Sequence, residues 1–499
     1  MAVKNDKKAE IRILEGSRIT SKDEIIRYQE ETKKMHRFLA GSASNIEVVK
    51  RNSYLYDIKT DLYKNVEFHI PSDRMANVNL LVGAQGSGKT TFIDGLIVEF
   101  MDNHKIIHDP KMEQVPKFFN AAKGDLIVGF PHADSVIWNI FGEILANKQK
   151  GPGIIDNFLA SVRGSSTEGK EWDVYARDLI MMLIFETLDL AADPSEYAVA
   201  WLFCYNRYKR GMGDDSFKTS AMGVAEPVIN LIFQMYHIFH HDRRKLVLVK
   251  DIVKARNVFL ISRDDIASQL DMINNGLLAA LISEEMSRPN VKRGDIKNYI
   301  FYFLDEYLTF KLDKKNEKSL MTKCRAKGIA VFLGIQYLPQ DKEQLTMISA
   351  SNYIRLIFAA GDDHTLDHFS KLTDDIQYQI QDFTMTIQDS GSLLSVSSPT
   401  QTESWGSALK TKQLPREVLS QLTPYVGYLE LKLTDPDVPE VKIKTFIRPV
   451  LVNAPPKNPE WVESEVAQNA PFLSEFTGVE EVVEEEGEEE GEEEGAVNE

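Results

Sequence analysis

The stretch VNLLVGAQGSGKTTFIDGLIVEF, residues 78–100, decides how this chain folds. A short apolar run leads into a glycine-rich loop and then into an amphipathic segment, which is the order of a strand, a loop and a helix. The loop, Gly83–Thr90, matches GxxxxGK followed by Ser or Thr at every fixed position. Its glycines let consecutive backbone N–H groups point at a phosphate chain, and the following helix adds its dipole. A chance glycine-rich turn would not need these neighbours, so nucleotide binding is the prediction.

Two side chains of the loop have separate predicted roles. The Lys89 ammonium is expected to reach the β- and γ-phosphates, and the Thr90 hydroxyl is expected to ligate Mg²⁺. The cofactors implied are therefore ATP and Mg²⁺. The predicted nucleotide-binding residues are Gly83, Ala84, Gln85, Gly86, Ser87, Gly88, Lys89, Thr90 and Thr91.

A pair of carboxylates lies far downstream of the loop. The apolar run 299–304 ends in Asp305 and Glu306. Asp305 is predicted to hold Mg²⁺ through its hydration shell, and Glu306 to orient and deprotonate an attacking water. Taken alone, such a pair is often only the polar end of a strand. Together with the phosphate loop it favours hydrolysis that drives a motor, because a small-molecule kinase does not normally need the second carboxylate.

Two further residues are predicted to respond to the γ-phosphate. The strand-like run 329–336 ends in Gln336, whose amide could sense that phosphate and report its hydrolysis. Just upstream, Arg325 lies near a predicted helix end at Gly328 and could act as an arginine finger on a neighbouring subunit's nucleotide. The alternatives are a solvated glutamine at a strand end and a surface arginine in a helix cap. If Arg325 is a finger, the protein assembles as a ring.

Strand-like and helix-like segments alternate along most of the chain, which predicts an α/β fold with a parallel sheet and crossover helices. A helical segment is also expected at 21–39, and the region between about 140 and 255 reads as almost purely helical. The predicted parts are an N-terminal segment joining the core, the nucleotide-binding core (first part), an all-α insertion, the core (second part) and a disordered acidic tail. Their bounds are 1–70, 71–145, 146–255, 256–453 and 454–499.

The formal net charge of −17, from 58 basic and 75 acidic residues, argues at first against a nucleic-acid partner. Residues 454–499, however, hold sixteen Glu and one Lys, so the rest of the chain is nearly neutral. This tail cannot bury a core and is expected to be disordered. Three interpretations stay open: a solubilising run, a docking strip for a basic partner, and a DNA mimic that blocks the motor's own cationic pore.

Short basic clusters in the body are candidates for tracking a DNA backbone without reading its sequence, although each could equally be a solvated helix face. They lie at 207–210, 243–245, 292–293 and 311–318. Two widely spaced cysteines, Cys204 and Cys324, indicate neither a disulfide framework nor a cysteine metal site. The apolar stretches are shorter than a membrane span. We expect a cytoplasmic protein that reaches the inner face of the cell membrane only through a partner protein.

The ordered set of motifs resembles the TraD/TrwB-like coupling ATPases of conjugation and type IV secretion, within the FtsK–HerA group of P-loop translocases. The matches cover roughly residues 10–450. Besides the phosphate loop, they are His108-Asp109-Pro110-Lys111, the stretch 125–144 with Trp138, Glu171-Trp172 with Ala176-Arg177, Asp305-Glu306, Arg325 with Gly328, Gln336, and the closing segment 414–444. The resemblance implies a RecA-like core with an all-α insertion, in a hexameric ATPase that passes DNA or protein to a secretion channel.

Two features depart from the family pattern. Members usually carry a pair of N-terminal transmembrane helices, which this sequence does not show, and Gly129-Phe130-Pro131-His132 replaces the usual N-P-F-D. A DNA or nucleoprotein translocase is the favoured function. The alternatives are a secretion-substrate receptor in which ATP acts as an assembly switch, and a soluble DNA segregation or packaging ATPase. The partners implied are DNA, a relaxase or accessory protein, secretion-channel proteins and further copies of the chain in a homohexamer.

Overall fold

The computed structural model describes residues 11–15, 20–50, 56–130, 132–163, 170–212, 216–262, 266–312, 314–350, 352–372, 375–386, 400–405, 409–412, 416–435, 438–452 and 464–476. The strands are β1 (Ile11–Glu15), β2 (Arg37–Lys50), β3 (Tyr56–Pro71), β4 (Val78–Val82), β5 (His104–Asp109), β6 (Leu126–Val128), β7 (Ser135–Trp138), β8 (Leu246–Val247), β9 (Asn257–Ile261), β10 (Ile300–Leu304), β11 (Ile329–Ile335), β12 (Asn352–Ile357), β13 (Asp375–Thr386), β14 (Thr400–Trp405), β15 (Leu409–Lys412), β16 (Gly427–Asp435) and β17 (Val438–Pro449). The helices are α1 (Lys22–Glu31), α2 (Lys89–Glu99), α3 (Val115–Phe118), α4 (Ile140–Ala146), α5 (Gly151–Arg163), α6 (Lys170–Leu190), α7 (Tyr197–Met212), α8 (Ser216–Asp242), α9 (Val249–Ile252), α10 (Ala267–Ser287), α11 (Lys314–Lys323), α12 (Lys342–Ala350), α13 (Asp363–Leu372), α14 (Arg416–Ser420) and α15 (Glu465–Gln468).

The chain divides into two compact units, each built from several separate stretches of sequence. The first unit comprises 1–101, 291–299 and 324–453. The second comprises 102–290, 300–323 and 454–499. The five-part organisation expected from the sequence stays a prediction.

The first unit contains a mixed sheet with the strand order β3-β2-β17-β16-β12-β4-β11. Strand β4 is parallel to β11 and to β12, with Val82 opposite both Ile335 and Ile357. The remaining neighbours are antiparallel. Strands β4, β11 and β12 are buried along their whole length, which explains why β4 and β11 read as nearly continuous apolar runs. A smaller antiparallel sheet pairs β13 with β1, β14 and β15.

The second unit contains strands in the order β10-β5-β9-β6-β7-β8, and the pairs among them are parallel. In the register, Leu304 lies opposite His108, and His108 lies opposite Leu260. The carboxyl ends of β10, β5 and β9 therefore meet at one edge of the sheet. In open parallel sheets this edge is where ligand-binding loops lie.

Helices α5 to α8 fall within the region predicted to be an all-α insertion, and they pack in the second unit around an aromatic core. The Phe141 and Tyr236 rings stack with their centroids 4.5 Å apart, and the Tyr197 ring meets the Phe141 ring edge-on. The buried Trp201 indole N–H donates to the carbonyl of Ile229 at 3.1 Å. Tyr197 and Trp201 lie four residues apart on α7, so both rings face this core. None of the helices that the structure describes is long and apolar enough to cross a membrane.

The first helix is shorter than the sequence indicates. Ser21 caps α1 by accepting the N–H of Glu24, and the helix ends at Glu31, so the expectation of a helix through residue 39 is wrong. The Thr32 hydroxyl donates to the Tyr28 carbonyl at 2.9 Å and closes the last turn. Strand β2 then begins, because Phe38 is buried in the sheet at 2% exposure and pairs with Ile70 of β3.

The C-terminal region contains an ordered anchor, Ser464–Phe476, which packs on α8. Leu473 is fully buried, and its N–H donates to Asn230 Oδ1 at 3.1 Å. The Ser464 hydroxyl donates to the Asp242 carboxylate. This segment precedes the densest run of Glu and still holds apolar residues that can be buried, which is why it differs from the expected disordered tail. Residues 477–499, Pro131 and parts of the closing segment 414–444 lie outside the described residues.

Candidate nucleotide-binding site

The phosphate loop joins β4 to α2 in the first unit. Gly86 and Gly88 have φ angles of 72° and 122°, a region of conformation that favours glycine. Helix α2 begins at Lys89, which is buried at 6% exposure. The Lys89 ammonium donates to the carbonyl of Gly83 at 2.6 Å and to that of Ala84 at 3.2 Å. The lysine side chain therefore folds back over its own loop.

Three backbone hydrogen bonds brace this loop against other segments of the first unit. The Gly83 N–H donates to Ile335 O at 3.2 Å, and the Ala84 N–H donates to Ala359 O at 2.7 Å. The Tyr425 N–H donates to Ser87 O at 2.9 Å. A Cβ at Gly83 would lie only 2.7 Å from Phe358 Cβ. Phe358, Ala359 and Tyr425 were not predicted from the sequence, because no local motif marks residues that reach the loop through sheet pairing.

One observation within the loop supports its fit to a phosphate chain. The Ser87 Oγ is buried and has no hydrogen-bond partner within the part of the chain that the structure describes. A buried hydroxyl without a partner costs free energy, so such groups call for an explanation. A phosphate oxygen is a suitable acceptor at this position, between glycines that leave room for it and the amino end of α2.

Gln336 and Arg325 lie at opposite ends of β11. Gln336 directly follows Ile335, whose carbonyl accepts the Gly83 N–H, so its position is beside the phosphate loop. Arg325 is exposed on a single-turn 3-10 helix, Cys324–Lys327, before the strand begins. The seven residues of β11 separate the two by about 23 Å at about 3.3 Å per residue. Arg325 therefore lies far from the loop of its own chain.

The second unit holds the predicted pair of carboxylates at the carboxyl end of β10. Asp305 is buried at 8% exposure, and its Oδ1 accepts the N–H of Glu306 at 3.0 Å. Glu306 has a left-handed backbone, with φ 53° and ψ 41°. Its Oε1 lies 3.2 Å from the Lys111 Nζ. Left-handed conformations of non-glycine residues cost free energy and concentrate at functional sites, so the strain is consistent with a positioned carboxylate.

The end of the neighbouring strand β5 supports this pair. The His108 Nδ1 lies 2.6 Å from Asp305 O, and burial lowers the pKa of His108, so a neutral imidazole donates this hydrogen bond. The Asp109 carboxylate accepts the N–H groups of Glu113, Gln114 and Val115, each at 2.8 Å. Burial nevertheless raises the pKa of Asp109 to about 6. The turn that carries Lys111 is thus fixed by three backbone bonds to one carboxylate.

The predicted basic clusters differ in their surroundings. Arg244 of the cluster at 243–245 is buried at 6% exposure and donates to Phe130 O at 2.7 Å. In the cluster at 207–210, Arg207 lies 2.7 Å from Glu186 and over the Phe203 ring. Arg244 therefore has a structural role in the second unit. Because it is buried, its guanidinium is unsuitable for contact with a DNA phosphate backbone.

The comparison with family models concerns residues 65–206. These residues match the model described as the type IV secretion-system coupling protein DNA-binding domain. The chain resembles a type IV coupling protein, as predicted. The matched region includes the phosphate loop, α2 and the second unit as far as α7. Among proteins of curated function, no match was found.

Solved structures of the coupling protein TrwB are similar over nearly the whole chain. The unbound bacterial conjugative protein TrwBdeltaN70 is 16% identical with a TM-score of 0.59, covering 91% of this chain and 97% of TrwBdeltaN70. TrwB with ADP and Mg²⁺ is 16% identical with a TM-score of 0.60, covering 92% and 98%. TrwB with the ATP analogue ADPNP is 16% identical with a TM-score of 0.59, covering 92% and 99%. The predicted RecA-like α/β fold, a mostly parallel sheet flanked by helices, is confirmed.

Proposed function

We propose that this chain is an ATP-hydrolysing ring motor that couples a DNA or nucleoprotein substrate to a type IV secretion channel. The observation that carries the proposal is the braced phosphate loop, with its buried, unpartnered Ser87 hydroxyl. The family description supports DNA as the substrate class. The TrwB structures, which hold ADP with Mg²⁺ or ADPNP, support ATP and Mg²⁺ as the cofactors of this chain.

Each candidate residue has a role in this proposal. Lys89 and the loop backbone hold the phosphates, and Thr90 and Asp305 support the metal. When bound, Mg²⁺ supplies positive charge that offsets the charge on the phosphate oxygens. Glu306 orients the attacking water and accepts its proton, and Lys111 at 3.2 Å fixes that carboxylate before the reaction. Gln336 reports the state of the γ-phosphate to the rest of the protein.

The proposed assembly is a homohexamer in which Arg325 reaches the nucleotide of a neighbouring copy. Cationic residues inside such a ring would contact a DNA backbone without reading its sequence. A relaxase, an accessory protein or a channel protein would bind the acidic tail or the all-α helices. A partner protein would supply the attachment to the membrane.

The test of this function is steady-state ATP hydrolysis with and without single- and double-stranded DNA. We expect DNA to raise the rate of the unaltered protein. Glu306→Gln should retain ATP binding but lose about 10²- to 10⁴-fold in turnover, the range that general-base catalysis contributes. Glu113→Gln, which changes an exposed acid of the same unit, is the matched control and should hydrolyse ATP normally.

The competing function, a secretion-substrate receptor with ATP as an assembly switch, gives the opposite pattern. DNA would leave the hydrolysis rate unchanged, while a basic partner protein would raise it. That pattern would be evidence against a DNA motor. A soluble segregation or packaging ATPase would be DNA-stimulated as well, and it would differ by needing no channel protein in a DNA-transfer assay.

A further inference from the structure

Tyr425 has a backbone conformation that is rare for a large side chain. Its φ is 62°, in the left-handed region. Pro424 precedes it, and the Val426 N–H donates to Thr423 O at 3.1 Å, so residues 423–426 form a β-turn. A turn with proline at its second position and positive φ at its third follows the type II pattern, in which glycine or asparagine normally occupies the third position. A bulky residue there is a conformational outlier.

The turn is attached to the phosphate loop. The Tyr425 N–H donates to Ser87 O at 2.9 Å. A Cβ at Gly88 would lie 3.2 Å from Tyr425 Cα and 3.4 Å from Tyr425 Cδ1. The Tyr425 ring therefore lies beside Gly88, the last loop residue before α2. Since Gly88 has no side chain, the ring can approach the loop this closely.

The ring is not part of the core, although the turn that carries it is well anchored. Leu422 and Val426 on either side are buried at 5% and 0% exposure, whereas Tyr425 is 43% exposed. Core packing therefore explains its neighbours but not Tyr425 itself. Asparagine or glycine would relieve the backbone strain and lose nothing that the core requires. Strain of this kind, kept at the edge of a ligand site, indicates a function.

We propose that Tyr425 is the platform on which the base of the bound nucleotide stacks. This inference rests on the proposed function, because it requires nucleotide phosphates at Gly83–Thr90. Stacking uses the face of the base, which all bases share, whereas discrimination between bases needs contacts to their edges. The expected ligands are therefore nucleotides of any base, without strong preference between adenine and guanine. The phosphates supply most of the affinity, and the ring orients the base.

The test compares ligands with and without a base. Binding of ADP, GDP and pyrophosphate, each with Mg²⁺, is measured by titration calorimetry on the full chain. Tyr425→Asn removes the ring but suits positive φ, so the turn keeps its shape. It should weaken ADP and GDP binding by about 5- to 150-fold, the range for stacking of a base on an aromatic side chain, and should leave pyrophosphate binding unchanged. Tyr425→Phe and Tyr425→Trp should bind ADP at least about as tightly as the unaltered protein.

Each other outcome has a definite meaning. Unchanged ADP binding by Tyr425→Asn would show that the ring does not contact the base. Equal losses for ADP and pyrophosphate would show that the turn only braces the phosphate loop, which also overturns the proposal. If the unaltered chain binds neither ligand, the proposed nucleotide function itself fails. Thermal unfolding midpoints of the variants identify any loss that comes from unfolding. In that case the ADP affinities of Tyr425→Phe and Tyr425→Trp are compared: the larger tryptophan ring should bind ADP more tightly, and equal affinities would overturn the proposal.

Discussion

Lys105 is the most fully buried ionisable side chain near the start of β5, with 0% exposure. Its ammonium nitrogen donates to Asn103 O at 2.8 Å and to Asn257 Oδ1 at 3.1 Å. Burial, aided by repulsion from Arg256, lowers the pKa of Lys105 to about 7. In the unfolded chain a lysine titrates near 10.4. The folded protein therefore binds this proton much more weakly than the unfolded protein does.

Because of this difference, the free energy of unfolding depends on pH in the alkaline range. Between pH 7 and about 10 the unfolded state carries one proton more, so the free energy of unfolding should rise with pH by up to about 1.4 kcal/mol per unit. The contribution is complete above the unfolded pKa and is lost as the pH falls to 7, below which both states are protonated. Lys105→Met should remove this slope. Urea unfolding at several pH values from 7.5 to 9.5 measures it.

The matched control for Lys105→Met is Lys123→Met, because Lys123 is exposed in the same unit. That variant should keep the slope of the unaltered protein. Parallel curves for Lys105→Met and the unaltered protein would contradict the assigned pKa.

At the nucleotide-binding site, the positions of residues in a local motif could be predicted from the sequence. The positions of residues that reach the loop only through packing could not. Lys89 and Gln336 were placed from sequence because a loop motif and a strand end fix them locally. Ala359 and Tyr425 reach the loop only because β12 and β16 bring distant segments beside β4. Single-sequence patterns describe neighbours along the chain, so contacts made through sheet pairing leave no local sign.

Among the elements, strands buried on both faces were the easiest to predict. The runs that became β4, β10 and β11 are short, apolar and bounded by turn residues, and the structure places strands at each of them. The antiparallel strands β2 and β3 were not predicted, because their sequences mix charged and apolar residues. The predicted end of α1 was also wrong, because the segment 32–39 has a helical composition but Phe38 is buried in a sheet.

The C-terminal anchor is the element with the clearest energetic test. Leu473 has no exposed surface and packs on α8, so Leu473→Ala should remove about 2–3 kcal/mol of docking free energy. The open population of the anchor would then rise at least about tenfold. Amide hydrogen exchange of residues 464–476 measures this opening, and the global unfolding free energy should fall by less, because the anchor can detach without unfolding α8.

Its neighbour provides the control for this experiment. Phe472 is 47% exposed, so Phe472→Ala removes a side chain of larger size with little loss of buried contact. Exchange in 464–476 should then resemble that of the unaltered protein. If both variants exchange alike, the anchor does not depend on the burial of Leu473.

For the whole molecule, the separation of charge matters more than the total of −17. The anchor attaches the start of the acidic region to α8, so whatever the following glutamates bind is recruited beside the all-α helices. The three interpretations of the tail stay predictions. A partner that binds the tail should therefore also affect hydrogen exchange in α8.

The position of Arg325 suggests a test of the proposed ring assembly. Since about 23 Å of strand separates it from Gln336, Arg325 can act on a nucleotide only from a neighbouring copy. Arg325→Ala and Lys89→Ala homomers should both be inactive, but mixing them creates intact sites at about a quarter of the interfaces of random rings, so ATP hydrolysis should partly return. Mixing Glu306→Gln with Lys89→Ala is the control and should restore nothing, because those two residues are proposed to serve the same nucleotide from one chain. No recovery in the first mixture would place Arg325 outside the reaction.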